Sequence, residues 1–266
     1  MNACAIDLRN VSVIRGGQPI LTDIQLHVSP GRCCAILGPN GSGKSTLLSV
    51  LSGYTWPTCG TVSIGGQVFG RVDLGRVRRR IGLIEPSRSP AFDARLRVRD
   101  VVATGLFGTV RLPPHEEIPA EVWQRVEAEI ELLGLTQLQD YPFTRLSTGE
   151  QMKTLLARAM VAETRLLLLD EPTAGLDMGA RAGCVGILER LLARDRHPTV
   201  VIVSHHLDEL PRSIDQVVVL KDGRVIGDGP PEEMLTSQRL SRLFDCHIDV
   251  LRNNGRYIAG VSDDPS

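Results

Sequence analysis

Aromatic side chains are scarce in this chain: five Phe, three Tyr and two Trp, 4 % of 266 residues. A site that grips its ligand by ring stacking has few rings to draw on. A surplus of one charge is also missing. Thirty Lys and Arg against 31 Asp and Glu leave a net charge of −1, which removes the global electrostatic case for wrapping nucleic acid. No long membrane-compatible run is present either. The longest uncharged stretch, Ser45 to Gly70, is broken by Gly53, Pro57, Gly60, Gly65 and Gly66, residues an ordinary spanning helix does not carry together. The opening MNACAIDLRN has no basic segment leading into an apolar one, so no signal peptide is read. The chain reads as soluble. Its six cysteines (Cys4, Cys33, Cys34, Cys59, Cys184, Cys246) form no C-x-x-C pair. Adjacent Cys33 and Cys34 point to opposite faces of a strand and do not easily clamp one metal. They read as reduced thiols serving as small hydrophobes.

What is present suits a folded core: 42 % hydrophobic and 23 % charged residues, a balance that excludes disorder, collagen and coiled coil. At a prior of about 150 residues per domain, the length allows one large domain or two small ones. Hairpin signals flank Gly16-Gly17, Gly65-Gly66, Asp222-Gly223 and Asn254-Gly255, the last one predicting a hairpin of Ile248–Leu251 with Arg256–Ala259. Short apolar runs at Cys33–Leu37, Leu166–Leu169 and Thr199–Val203 suit strands buried on both faces, each followed by a turn and a helix-like stretch. That order predicts an α/β fold with a mostly parallel sheet and crossover helices. Between them, Val122–Leu133 places Val122, Val126, Ile130 and Leu133 on one helical face before Gly134, and Gln151–Ala162 predicts a second helix. Residues of about 86–162 therefore read as a helical insert.

The stretch Arg71–Arg99 holds nine arginines but, of aromatics, only Phe92. That pattern favours a solvated face over a nucleic-acid patch. A contact surface for a protein partner stays open.

The chemistry concentrates in two places. Gly38-Pro39-Asn40-Gly41-Ser42-Gly43-Lys44-Ser45 matches G-x-x-x-x-G-K-[ST] directly after the apolar run Cys33–Leu37, and Thr46 opens helix-forming sequence. Such glycines let successive N–H groups point at phosphate oxygens at the positive end of a helix. Lys44 would neutralise the β- and γ-phosphates, and Ser45 would ligate Mg²⁺. The second place is Leu166–Leu169 followed by Asp170-Glu171. Two carboxylates emerge at a strand's C-terminal end, where α/β sheets bind ligands. Asp170 is suited to hold Mg²⁺, and Glu171 to orient and deprotonate an attacking water.

These residues lead to a family resemblance. Leu146-Ser147-Thr148-Gly149-Glu150-Gln151 is similar to the L-S-G-G-Q signature of ATP-binding-cassette (ABC) ATPases. Pro172-Thr-Ala-Gly-Leu-Asp177 looks like the family's D-loop, and Val200-Val-Ile-Val-Ser204-His205 like its switch-histidine strand. Order and spacing fit over roughly residues 5–235. The resemblance implies a P-loop NTPase core with an antiparallel β subdomain and a helical insert, over 1–240, and a short extension over 241–266. It also implies an Mg²⁺-dependent ATPase in which two subunits close head to tail. Each ATP is then held between the P-loop of one subunit and Ser147, Gly149 and Asp177 of the other. His205 would contact the γ-phosphate and report its loss, so that the pair reopens. His206 is read as a helix-start residue. The implied partners are transmembrane permease subunits and a second nucleotide-binding subunit, with no nucleic acid, at the cytoplasmic face of a membrane. A soluble ABC ATPase without a transport role, such as the iron–sulfur assembly kind, and a regulator with decayed hydrolysis are the alternatives.

The chain departs from the family pattern twice. The aromatic that usually stacks on adenine before the first glycine turn is Arg15 here. A guanidinium also stacks on a base, which predicts loose base selectivity; a plain surface arginine is the other reading. The glutamine expected after Ile81–Ile84 is missing, since none occurs between Gln67 and Gln124. Glu85, Ser87 and Ser89 occupy its neighbourhood, and either serine is a stand-in of shorter reach. Thr148 replaces a signature glycine, a milder change because Ser147 and Gly149 remain.

Overall fold

A computed structural model describes residues 4–86, 91–113 and 118–261. Its centre is a six-stranded sheet with the order β10-β9-β3-β8-β7-β6. The strands are β3 (Cys33–Leu37), β6 (Ile81–Ile84), β7 (Leu166–Asp170), β8 (Thr199–Val203), β9 (Gln216–Lys221) and β10 (Arg224–Gly229). All neighbours pair in parallel except β9 with β10. Every residue of β3, β7 and β8 is buried, as expected of strands covered on both faces. Alternation then sorts the side chains. Cys33, Ala35 and Leu37 face one core together with Leu167, Leu169, Val200 and Ile202. Cys34 and Ile36 face the other with Leu166, Leu168, Val201 and Val203. Each leucine so buried stabilises the fold by about 2 kcal/mol. The two adjacent cysteines do point to opposite faces, and burial pushes both thiols up. Cys184 is pushed up to about 12 for the same reason. These thiols are inert packing groups.

The second core lies under an antiparallel sheet of order β2-β1-β4-β5, built from β1 (Ile6–Arg15), β2 (Gln18–Val28), β4 (Cys59–Ile64) and β5 (Gln67–Val68). Helix α1 (Lys44–Leu51) packs between the sheets through Leu47, Leu48, Val50 and Leu51. The first core is closed by α3 (Val98–Phe107), α4 (Ala120–Leu132), α5 (Thr148–Val161) and α6 (Met178–Leu192). Helix α4 follows the expected face, with Val126 and Ile130 buried.

The short α2 (Leu74–Arg78) falls inside the arginine run, and α3 begins at the end of that run, within the expected helical insert of about 86–162. The amide of Arg97 donates to Asp100 Oδ2 at 3.0 Å, which starts α3. Asp73 accepts from Gly75 N at 2.8 Å, which starts α2. After β10 come α7 (Pro231–Met234) and α8 (Ser237–Phe244), then the hairpin β11 (Ile248–Asn253) and β12 (Arg256–Val261). Helix α8 runs across residue 240, and its Leu240 and Leu243 share the first core with Ile248 and Tyr257. The tail hairpin is thus welded to the body. Among the described residues, no helix is long and apolar enough to cross a membrane.

Sheet register decides where the chemistry sits. Leu169 pairs with Ile202, Asp170 with Val203 and Ile36 with Val203. The carboxyl ends of β3, β7 and β8 are therefore level, at the place where the strand order reverses around β3.

Candidate functional site

Residues Gly38–Gly43 link β3 to α1, and their shape depends on missing side chains. A Cβ on Gly38 would lie 2.1 Å from Leu220 O, against the backbone of β9. Gly41 and Gly43 have φ of 79° and 102°, backbone that L side chains rarely adopt. Gly43 is the N-cap of α1, with no side-chain cap and no acid in the first turn. The leading amides of α1 and its dipole are thus left to serve an anion. Ser42 Oγ is buried and hydrogen-bonded to nothing among the described residues, a second polar group facing this loop with its capacity unused. Lys44 is buried, and Nζ donates to Gly38 O at 2.8 Å and Pro39 O at 2.9 Å. Burial lowers its pKa, opposed by the nearby charges of Glu171 and Asp170. Asn40 is exposed at the loop tip, and Ser45 and Thr46 lie in the first turn of α1. The residues present fit a polyphosphate.

Asp170 ends β7, and it and Ser45 line one cavity of about 800 Å³. A hydroxyl and a carboxylate are hard oxygen ligands, the donor set Mg²⁺ takes. Glu85 lines the same cavity; the stand-in serines Ser87 and Ser89 lie outside the described residues. Glu171 leaves the strand with φ of 47°, a left-handed conformation that costs a non-glycine residue on the order of 1–3 kcal/mol. Its amide donates to Val203 O at 2.9 Å. Its Oε1 lies 3.0 Å from His205 Nδ1, the first side chain past Ser204 at the end of β8. His205 and Glu171 are each about one-third exposed (38 % and 34 %), so their pair can reach a ligand. His206 is the N-cap of a 3-10 turn, Leu207–Glu209.

The other expected site residues do structural work of their own. Ser147 is the N-cap of α5. Its Oγ donates to Glu150 Oε2 at 2.7 Å, its amide to the same oxygen at 2.9 Å, and Glu150 N returns a bond at 3.4 Å. This capping box holds the Glu150 carboxyl below its usual range. Gly149 packs against the start of α6, where a Cβ would lie 3.2 Å from Ala180 Cβ. Asp177 is the N-cap of α6 and accepts from Ala180 N at 2.8 Å. Arg15 is exposed, and its guanidinium donates to Thr55 Oγ1 at 2.9 Å; Thr55 in turn bonds Ser49 on α1.

The structure brings Lys44, Ser45, Asp170, Glu171 and His205 to one sheet edge. It carries Ser147, Gly149 and Asp177 on the starts of α5 and α6, and Arg15 at the tip of the first hairpin. Sequence reasoning missed Ser204 and Glu209, which brace the His205 loop from beneath. Their only signal was the polar spacing in Ser204-His-His-Leu-Asp-Glu209.

The geometry agrees with comparisons to known proteins. The sequence pattern of the family described as "ABC transporter" matches residues 21–174. The chain is 34 % identical over 252 residues to an uncharacterized ABC transporter ATP-binding protein, YlmA, of Bacillus subtilis, covering 94 % of this chain and 95 % of that one. It is 34 % identical over 254 residues to the hemin import ATP-binding protein HmuV of Bordetella bronchiseptica, covering 92 % and 94 %. The dimeric, ADP- and phosphate-bound post-hydrolysis structure of the ATP-binding cassette MJ0796 superposes with a TM-score of 0.70 at 27 % identity, covering 85 % and 98 %.

Proposed function

The chain belongs to the ABC transporter family, and from that premise we propose how its residues divide the work of an ATP-binding subunit that powers transport through a separate permease. The observation that carries the reading is the level alignment of β3, β7 and β8, which gathers a P-loop, two carboxylates and a histidine at one edge. ATP phosphates lie along Gly38–Thr46, held by the backbone amides, Ser42 Oγ and Lys44. Ser45 and Asp170 would hold Mg²⁺, which would supply Lewis-acid stabilisation of the negative charge on the phosphates.

Glu171 accepts a proton from the attacking water as the water oxygen bonds the γ-phosphorus. The bond from that phosphorus to the bridging oxygen breaks, and ADP leaves with the electron pair. His205, bonded to Glu171, keeps the carboxylate aimed. Ser147, Gly149 and Asp177 complete the site of a second subunit, a role supported by the dimeric cassette to which this chain is similar. Arg15, at the tip of the first hairpin, is assigned to stack on the base with little selectivity; ATP and GTP are expected to bind within about tenfold of each other, and a much larger preference for ATP would count against this role.

We place the permease contact at the arginine-lined part of the same cavity. Arg78, Arg79 and Arg158 line it, and among the described residues none of the three pairs with a carboxylate. Burial lowers the pKa of Arg158, a charge that an acidic partner segment would relieve. Import is the favoured direction, in line with the name of the relative HmuV. We assign these functions to residues 1–240 and read 241–266 as an extension that shares α8 and the first core with them. Replacing Glu171 with Gln is the direct test. ATP binding persists, turnover falls by at least about a hundredfold, and a nucleotide-bound dimer accumulates. Unchanged turnover would remove Glu171 as the base.

A further inference from the structure

The loop that carries His205 is tied to α6 at two points, each a carboxylate beside arginine. At the far point, Glu189 receives Arg256 Nη2 at 3.2 Å and lies 3.6 Å from Arg212 Nε. At the near point, Glu209 is only 3 % exposed. Ser204 Oγ donates to Glu209 Oε2 at 2.7 Å, and Arg181 Nε stands 3.5 Å from Glu209 Oε1. The same Ser204 hydroxyl accepts from His206 N at 3.0 Å and has His206 O at 3.1 Å as a second, longer acceptor, so its one proton favours Glu209 at 2.7 Å. His205 therefore sits between two residues whose placement is set by one hydroxyl, and Glu209 orients that hydroxyl.

A buried carboxylate is a poor way to glue a loop down. Leu207 and Leu210 are already buried there, at 5 % and 2 % exposure, and apolar contacts hold without desolvating a charge. What a charged acceptor adds is direction and a dependence on where its partner stands. The partner is Arg181, whose amide donates to Asp177 O at 2.9 Å in the first turn of α6. The connections close a ring. Glu171 leads through residues 172–177 into α6; Arg181 faces Glu209; Glu209 holds Ser204; and His205, next along, returns to Glu171 at 3.0 Å. Arg181 Nε is buried yet makes no hydrogen bond among the described residues, so the ring has slack at that one joint. A small advance of α6 would close it.

We infer that Glu209 is a positioning residue for hydrolysis: it makes the His205–Glu171 bond depend on the place of the α6 start. The inference rests on the roles given above to Glu171 and His205, and it assigns Glu209, Arg181 and Ser204 to the control of that pair.

Two measurements on the full chain, with its permease where they co-purify, test it. In Glu209→Gln, kcat is expected to fall about tenfold while ATP affinity stays within about twofold. The double variant with His205→Ala should be no slower than His205→Ala alone, because Glu209 acts through that histidine. Additive loss in the double variant, or unchanged kcat in the single one, would overturn the inference. The second measurement does not need turnover. Amide hydrogen exchange over residues 204–210 should speed up in Glu209→Gln and in the smaller change Ser204→Ala, with α1 unaffected. Unaltered exchange in both overturns the inference as well. A wild-type protein without ATPase activity strikes the functional reading and leaves the exchange result to decide this one.

Discussion

Helices α1 and α5 begin at groups assigned to the same kind of ligand, and they begin in opposite ways. The first turn of α1 has a left-handed glycine, no side-chain cap and no acid. The first turn of α5 is closed by Ser147 and Glu150, which satisfy each other's donors and acceptors. One end is open to an anion from within a single subunit. The other already has a carboxylate at its positive pole, the group that a phosphate oxygen would have to displace. On the roles proposed above, nucleotide affinity would belong to α1, and α5 would join only when a second subunit delivers a phosphate that outcompetes Glu150. Under that proposal, the contrast would make association conditional on ATP without any change in the fold of either helix.

The largest effect that could break this contrast is at Lys44. Lys44→Ala is expected to weaken ATP binding by at least about a hundredfold, since it removes the one cation inside the loop. Ser147→Ala should leave ATP binding by the single subunit unchanged and lower turnover instead. Equilibrium binding beside steady-state ATPase assays separates the two, and equal losses of affinity would abolish the distinction.

A smaller effect sharpens it through pH. The Glu150 carboxyl is held below its ordinary value of 4.5 by the Ser147 hydroxyl and amide. A depressed carboxylate contributes stability that is complete above its unfolded value and fades as pH falls through the folded one. Thermal melts taken from about pH 6 down to about pH 3.5 should show this loss, worth under about 1 kcal/mol after solvent screening. Glu150→Gln should flatten that part of the profile, and an unchanged slope would show that the capping box carries no linked charge.

Much of this was readable before any coordinates, for a physical reason. The strands Cys33–Leu37 and Thr199–Val203 are apolar at nearly every position because both their faces are buried, so composition alone marks them. The P-loop was readable because its glycines, Lys44 and Ser45 are adjacent in the chain. Helix α3 was not: it starts at Arg97, a poor N-cap type, and arginines at 95, 97 and 99 mask the spacing of Val98, Val101 and Val102. The Ser147–Glu150 box was short-range and visible as a helix start, but its competition with a ligand needed distances. The tether of Arg15 to Thr55 spans 40 residues, and that of Glu209 to Arg181 spans two elements. No local pattern announces a side-chain pair of that kind.

The left-handed backbone of Glu171 has an evolutionary consequence. A population selected for heat resistance alone would drift at this position toward glycine or asparagine, residues that take φ of 47° at little penalty. A population that must also turn over ATP keeps a carboxylate there and tolerates the strain. If Glu171 is the base proposed above, position 171 is one where thermostability and catalysis would select in opposite directions.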